Sequence, residues 1–291
     1  MVNSLLITDY QSNKSLNLKV DCLIINSNLY STFNGKTFSL SEIIDLVPII
    51  KTNNYQVIIN CDRIIPENEV LNFKKFINKI LKLNVDYIIY SDYSILSFVS
   101  KEYYDNLIYD PKTLVCTKEE LEVIPTKSFI SSEISLDEIK NFNDANKSYC
   151  LDVFGYRQMM YSRRPLLSLC LPKGKVKSNV LYDLSEETRD ERYKIFETKR
   201  NRYNYGTFVY NKGIFCIFDQ LKDLKNISLI RLNSMFLEDI IDIISEEYYK
   251  LVHNLDSNFE TILKVLDDNK YTVDNTFLNR ESVLLKEGNN E

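Results

Sequence analysis

The sequence predicts an α/β fold, a TIM-barrel-like parallel β/α barrel with an insertion before its last β/α unit, and three observations carry that expectation. Short runs rich in Ile, Val and Tyr alternate with longer segments of helical periodicity from the N-terminus to about Gly155. These runs are mostly continuously apolar, which suits strands covered on both faces. No Gly-x-Gly-x-x-Gly loop follows any run and the chain has only six glycines, which counts against the main rival, an open doubly wound sheet cradling a phosphate. Seven such runs favour closure into a barrel over an open sheet.

The elements follow in order. Residues 5–8 and 21–26 read as strands, and Ser39-Leu40-Ser41-Glu42 ahead of Ile43 and Ile44 reads as the start of a helix, because a Ser-x-x-Glu box satisfies the free amides of a first turn. A third strand occupies 56–61, and Pro66-Glu67 opens a long helix ending near Leu83. Strands at 87–91, 107–109, 129–132 and 149–154 follow, with a second capping box, Ser135-Leu136-Asp137-Glu138, before Ile139. After Ser168 the rhythm breaks into a loop with Pro172 and Gly174, a charged segment over 186–202 and a hairpin-like stretch over 208–218. Within the charged segment, residues 189–202 hold six basic and three acidic side chains at helical spacing and read as a solvated helix. Alternation resumes with a strand at 228–232 and an amphipathic helix at 238–251, and residues 270–285 read as a short extended tail that frays at 288–291. The expected organisation is a single domain in three parts: seven β/α units over 1–168, an insertion over 169–226, and the last unit with the tail over 227–291.

A chain of 291 residues with 44% hydrophobic content buries a large core. No run approaches the roughly 20 apolar residues that span a bilayer, so a cytoplasmic protein without membrane contact is expected. The six cysteines, Cys22, Cys61, Cys116, Cys150, Cys170 and Cys216, are scattered without paired spacing, which excludes a zinc ribbon, a Cys-x-x-Cys redox pair and a disulfide framework and makes most of them small core residues. The single histidine, His253, ends a surface helix, which weakens Ser-His-Asp, Cys-His and His-metal mechanisms alike. Haem, zinc, nicotinamide and P-loop nucleotide sites lack their ligands or loops.

Charge singles out one stretch. Residues 153–182 contain no Asp or Glu but six bases, Arg157, Arg163, Arg164, Lys173, Lys175 and Lys177; with the chain at -5 overall, the remainder carries -11. A cationic island of that contrast focuses an anionic ligand, with Arg157, Lys173, Lys175 and Lys177 as candidate phosphate contacts. Arg163 and Arg164 offer a guanidinium fork and Tyr156 or Tyr161 a stacking ring, although adjacent arginines also suit a solvated turn. Met159 and Met160 read as core. In a parallel barrel, polar residues at the carboxyl ends of strands outrank others, which brings forward Asn26, Asn60, Asp92, Asp110 and Glu133. Asn60 and Asp92 equally suit a cap or turn, and Glu133 equally suits support of the turn before Ser135. The candidate substrate-binding set is therefore Asn60, Asp92, Glu133, Tyr161, Ser162, Arg163 and Arg164; no residue declares itself as the catalytic group.

The string Tyr161-Ser162-Arg163-Arg164-Pro165-Leu166-Leu167-Ser168 resembles the Tyr-Ser-x-Arg-x-Leu-Leu-Ser signature of the peptidase U32 family, also labelled collagenase-like proteases. The resemblance extends to Phe38-Ser39-Leu40-Ser41-Glu42-Ile43, to Tyr109-Asp110-Pro111-Lys112-Thr113-Leu114, and to the stretch from Ser132 through Ile139. Downstream, Glu187-Thr188-Arg189-Asp190 with Tyr193 and the tail around Thr276-Phe277-Leu278 also fit. The resemblance implies a barrel-like fold and, beside peptidase activity, oxygen-independent hydroxylation, including 5-hydroxyuridine formation at the tRNA wobble position, of a ribosomal RNA cytidine and of ubiquinone. It implies tRNA as a partner, with a cysteine-bearing U32 paralogue as a second. Several members hold an iron–sulfur cluster, but two of the motif cysteines fall where this chain has Gln158 and Pro165, and Cys150 and Cys170 flank the motif without filling those places. Phe154-Gly155 replaces the customary His-Gly. No cofactor is expected. The expected activity is tRNA wobble-uridine hydroxylation, alone or as a cluster-free partner, with a collagenase-like peptidase and a noncatalytic partner-binding barrel as alternatives.

Overall fold

The alternation of apolar runs resolves into strands that pair side by side in a computed structural model, which describes residues 4–172, 175–177, 179–186, 189–199, 205–275 and 277–279. The first seven strands are β1 (Leu5–Asp9), β2 (Cys22–Asn26), β3 (Gln56–Cys61), β4 (Tyr87–Tyr90), β5 (Leu107–Tyr109), β6 (Lys127–Ser128) and β7 (Tyr149–Gly155). Four strands of a second sheet come next, β8 (Gln158–Ser162), β9 (Leu181–Glu186), β10 (Arg189–Lys199) and β11 (Tyr205–Asn211), followed by β12 (Phe215–Cys216) and β13 (Ile227–Leu232).

The larger sheet runs in the order β12-β7-β13-β1-β2-β3-β4-β5-β6. All its neighbours are parallel except β12, which lies antiparallel on β7 through Phe215 opposite Gly155 and Cys216 opposite Phe154. A single parallel bridge from Phe129 to Cys150, with the Ile130 amide on the Cys150 carbonyl at 3.1 Å, joins β6 to β7 and brings the two limbs of the sheet together. The result is the mixed α/β, TIM-barrel-like architecture that the sequence predicts, with β13 as the last strand.

Because side chains alternate across a strand, each strand sends every second residue inward. Ile7, Cys22, Ile24, Ile58, Ile89, Ile108, Phe129, Cys150 and Leu229 form one buried apolar cluster drawn from, or lying at the end of, all eight barrel strands. The other faces of the same strands, including Leu6, Leu23, Ile25, Val57 and Ile59, join a larger core beneath the helices. The helices are α1 (Leu40–Thr52), α2 (Val70–Leu81), α3 (Lys118–Val123), α4 (Leu136–Asn141), α5 (Leu166–Cys170), α6 (Ile241–Val252) and α7 (Phe259–Asp268). Both capping boxes read in the sequence form, Ser39 with Glu42 on α1 and Ser135 with Glu138 on α4, and Thr117 with Glu120 adds a third on α3. α1 buries Ile43, Val47 and Ile50, and α2 buries Phe73, Phe76, Ile77 and Ile80, the i, i+4, i+7 stripe of an amphipathic helix.

The second sheet, in the order β8-β11-β10-β9, is antiparallel throughout. It corrects two expectations. Residues 189–199 are β10, held by β9 on one side and β11 on the other; tertiary pairing overrides their helical charge spacing. Residues 208–218 are no hairpin, because β11 pairs with β10 and β8 while β12 crosses back to β7. Met160 is 43% exposed rather than a core residue. Residues 200–202, Glu187, Thr188, Thr276 and the tail from 280 onward lie outside the described residues. No helix among the described residues is long and apolar enough to cross a membrane.

Candidate functional site

One layer above the apolar cluster, toward the carboxyl ends of the strands, every barrel strand changes character. Two residues beyond Ile7, Ile24, Ile58, Ile89, Ile108, Phe129, Cys150 and Leu229 stand Asp9, Asn26, Asn60, Ser91, Asp110, Ser131, Asp152 and Arg231. The strand period of two places all eight on the inner face. A parallel barrel thus presents a ring of hydrogen-bonding groups at the end where such folds carry their sites.

The ring is wired by charge. Asp152 on β7 lies beside Arg231 on β13 in register and receives its Nε and, at 2.8 Å, its Nη2. Arg231 Nη1 donates to Asp110 Oδ2 at 2.8 Å, and Lys112 Nζ donates to the same oxygen at 2.9 Å and to Asp62 Oδ2 at 2.7 Å. Thr32 anchors Asp62 through its amide at 2.7 Å and its hydroxyl at 2.8 Å. Burial alone would raise the Asp110 carboxyl, yet Arg231 and Lys112 hold it well below the usual carboxylate range. Arg231 also lies over Phe129, its guanidinium carbon 4.0 Å from the ring centre.

Asp9 sits on the neutral side of the ring. Its partners are Asn26 Nδ2 at 2.8 Å and the Ser234 amide at 3.4 Å and hydroxyl at 3.5 Å. Asn26 in turn accepts from Asn60 Nδ2 at 2.8 Å and Ser31 Oγ at 3.3 Å. Burial pushes the Asp9 carboxyl up to about 6, with Asn26, Arg231 and Ser234 opposing and Asp62 reinforcing the shift. A carboxyl poised there accepts or releases a proton near neutral pH.

A cleft opens over the ring, lined by Asp9, Asn60, Asp62, Lys112, Asp152 and Arg231 from the barrel, by Phe215 on β12, and by Phe33, Tyr156, Arg157 and Tyr210 from the loops and the second sheet. The turn from β7 to β8 delivers Arg157, and Gly155 makes that turn possible. Its φ of 117° is open to glycine, and a Cβ there would stand 2.4 Å from the Asn233 carbonyl oxygen. The Asn211 amide then holds the Arg157 carbonyl at 3.0 Å. The second sheet reaches the mouth through Tyr210, whose hydroxyl accepts from Asn34 Nδ2 at 2.7 Å.

The sequence-derived candidates divide. Asn60 and Arg157 line the cleft. Asp92 caps the 3-10 turn at Tyr93–Ser97, accepting from the Ser94 amide at 2.9 Å and the Ile65 amide at 2.7 Å, and lies off the cleft. Glu133 is half-buried beside the lining residue Ser132, its amide 3.2 Å from Ser131 Oγ. Tyr161 is half-buried and stacks on Phe208 at 4.6 Å. Ser162 Oγ accepts from the Arg164 amide at 3.1 Å, and Arg163 and Arg164 stand exposed at the end of β8. Lys175 and Lys177 are exposed; Lys173 lies outside the described residues. His253 is remote from the mouth, stacked on Tyr249 at the end of α6 with Nε2 3.4 Å from Asp21, which precedes β2. Cys150 is sealed in the barrel, where burial pushes its thiol up to about 12, while Cys170 is exposed on α5. Asp9, Asp152 and Arg231 are hidden in the sequence because they lie within, or one residue past, runs that read as mostly apolar. The two-residue offset from each inward aliphatic was the signal that would have found them.

The family model described as Peptidase family U32 matches residues 12–250. No curated protein matches the chain. Among solved structures, one described as "The Structure of the U32 Peptidase Mk0906" is similar at 13% identity and a TM-score of 0.49, covering 78% of this chain and 92% of that chain. A family match that spans most of the sequence, over a barrel of the kind just described, establishes that the chain belongs to peptidase family U32.

Proposed function

We propose that this U32 protein acts on RNA in the cytoplasm, in hydroxylation of the tRNA wobble uridine to 5-hydroxyuridine, either alone or as partner of a cysteine-bearing paralogue. The observation that carries the reading is the continuity of the acid-free stretch with the barrel mouth. Arg157 lines the cleft, β8 runs outward from it for roughly 15 Å, and Arg163 and Arg164 stand exposed at its far end. In this reading the exposed arginines, with Lys175 and Lys177, hold backbone phosphates. The mouth receives one nucleoside between Phe33, Tyr156 and Tyr210, facing the donors and acceptors of the ring. Asp9 serves as the proton acceptor or donor there.

The reading assigns no iron–sulfur cluster to this chain, since Gln158 and Pro165 offer no thiolate and Cys150 and Cys170 lie in separate surroundings. Proteolysis finds less support. Ser31 and Ser131 near the mouth donate to Asn26 and to the Thr113 carbonyl, and burial drives the Cys61 thiol well above its usual range, the reverse of nucleophile activation. The test is nucleoside mass spectrometry of tRNA from cells with and without the gene. Loss of wobble 5-hydroxyuridine derivatives is expected. An unchanged profile in cells with no second U32 gene, together with gelatin cleavage by the purified chain, would replace this reading with the peptidase one.

A further inference from the structure

Arg157 is a buried cation with no ion pair among the described residues. The residue is 6% exposed, and its Nε and Nη1 have no hydrogen-bond partner among the described residues. One face of the guanidinium is covered by Phe215, whose ring centre lies 3.3 Å from the guanidinium carbon. Asp152, the carboxylate that attracts it most strongly, already receives two donors from Arg231. Glu133 and Asp274 contribute attraction through space without an ion pair to Arg157. Burial consequently pulls the guanidinium down to about 9, which still leaves it charged at neutral pH.

Such an arrangement is costly unless something completes it. A buried donor left unsatisfied destabilises a fold, and more so when it is charged. Everything around Arg157 nevertheless holds it in place: the glycine turn before it, the Asn211 amide on its carbonyl, and the Phe215 stack. The Nε edge of the planar fork, which Nε shares with Nη2, is the one that grips two oxygens of one oxyanion, as Arg231 grips Asp152, and on Arg157 it carries no bonded partner among the described residues.

We propose that Arg157 is the receptor for an oxyanion group entering the barrel mouth. The group is a phosphate, carried either by a nucleotide or by a free small-molecule ligand. The inference stands on the cleft and the unpaired guanidinium and does not depend on the RNA reading.

Calorimetric titration of the full chain with inorganic phosphate, uridine 5′-monophosphate and uridine tests it. The variants are Arg157→Met, which keeps the bulk of the side chain, Arg157→Lys, and Lys264→Ala on the exposed face of α7 as control. Wild type and Lys264→Ala are expected to bind the monophosphate or phosphate equally. Arg157→Met is expected to lose roughly ten- to a hundredfold in affinity, the value of one charge-assisted pair, and Arg157→Lys to recover part of it. Monophosphate binding well above both phosphate and uridine identifies a nucleotide as the source, and equal binding of phosphate and monophosphate identifies a free anion. Thermal melting accompanies the titration: Arg157→Met should melt no lower than wild type, because it removes an uncompensated charge. Absence of binding by either anion to wild type, or equal binding by wild type and a folded Arg157→Met, overturns the proposal.

Discussion

Asp9 and Asp110 occupy equivalent places in the polar ring and meet opposite fates. Asp110 is neutralised by two cations, whereas Asp9 has only neutral donors and a carboxyl raised from 3.8 to about 6. A raised folded-state value means that the unfolded chain releases this proton first. Below about pH 4 both states hold it; from pH 4 to 6 stability falls by about 3 kcal/mol, and the loss then persists at higher pH. Asp9→Asn should therefore gain on wild type progressively between pH 4 and 6 and keep a constant lead above it, as read by urea unfolding across pH. A pH-independent difference would refute the assignment. At Asp110 the expectation reverses, because Asp110→Asn removes the carboxylate shared by Arg231 and Lys112 and should cost about 3 kcal/mol at pH 7. An unchanged unfolding midpoint would show that Asp62 and Asp152 suffice to hold both cations. Of the ring and cleft residues the sequence made Asn26, Asn60, Asp110 and Arg157 legible, through strand-end position and charge contrast. Asp9 and Arg231 were hidden, because a polar residue at the end of or inside an apolar run declares its direction only when the inward register is known.

At the scale of elements, what reads locally is what is determined locally. The boxes at Ser39 and Ser135 form as read because donor and acceptor lie three residues apart. β10 could not be read this way: Ile195, Phe196, Glu197 and Thr198 are all buried, and it is a strand because β9 and β11 flank it. The same holds for β12, whose partner β7 lies some 60 residues earlier in the chain. The turn from β7 to β8 joins element to site, and Gly155 is its weak point. Gly155→Ala should destabilise the protein by about 2 kcal/mol, through left-handed strain and the clash with Asn233, and should shift Arg157 out of the cleft. A variant that melts with wild type and retains wild-type anion affinity would show that the turn tolerates a side chain.

For the whole molecule, the barrel was legible because its strands recur as apolar runs with helices between them, and strand order in a parallel barrel largely follows chain order. The docking of the second sheet against the mouth was not, since it rests on long-range contacts such as Asn34 to Tyr210. Charge at this scale is uneven: a chain of net charge -5 carries one acid-free segment of thirty residues, which begins in the cleft and emerges at Arg163 and Arg164. In the proposed RNA-binding role that segment makes the phosphate contacts, and the salt dependence of binding reports how many it holds. The most direct measurement is the affinity for tRNA across salt concentration, for wild type and for Arg163→Ala with Arg164→Ala. Removal of two phosphate contacts should weaken binding and lower the slope of log K against log salt by roughly 2. An identical slope in the two proteins, or no tRNA binding by wild type at low salt, would contradict the account.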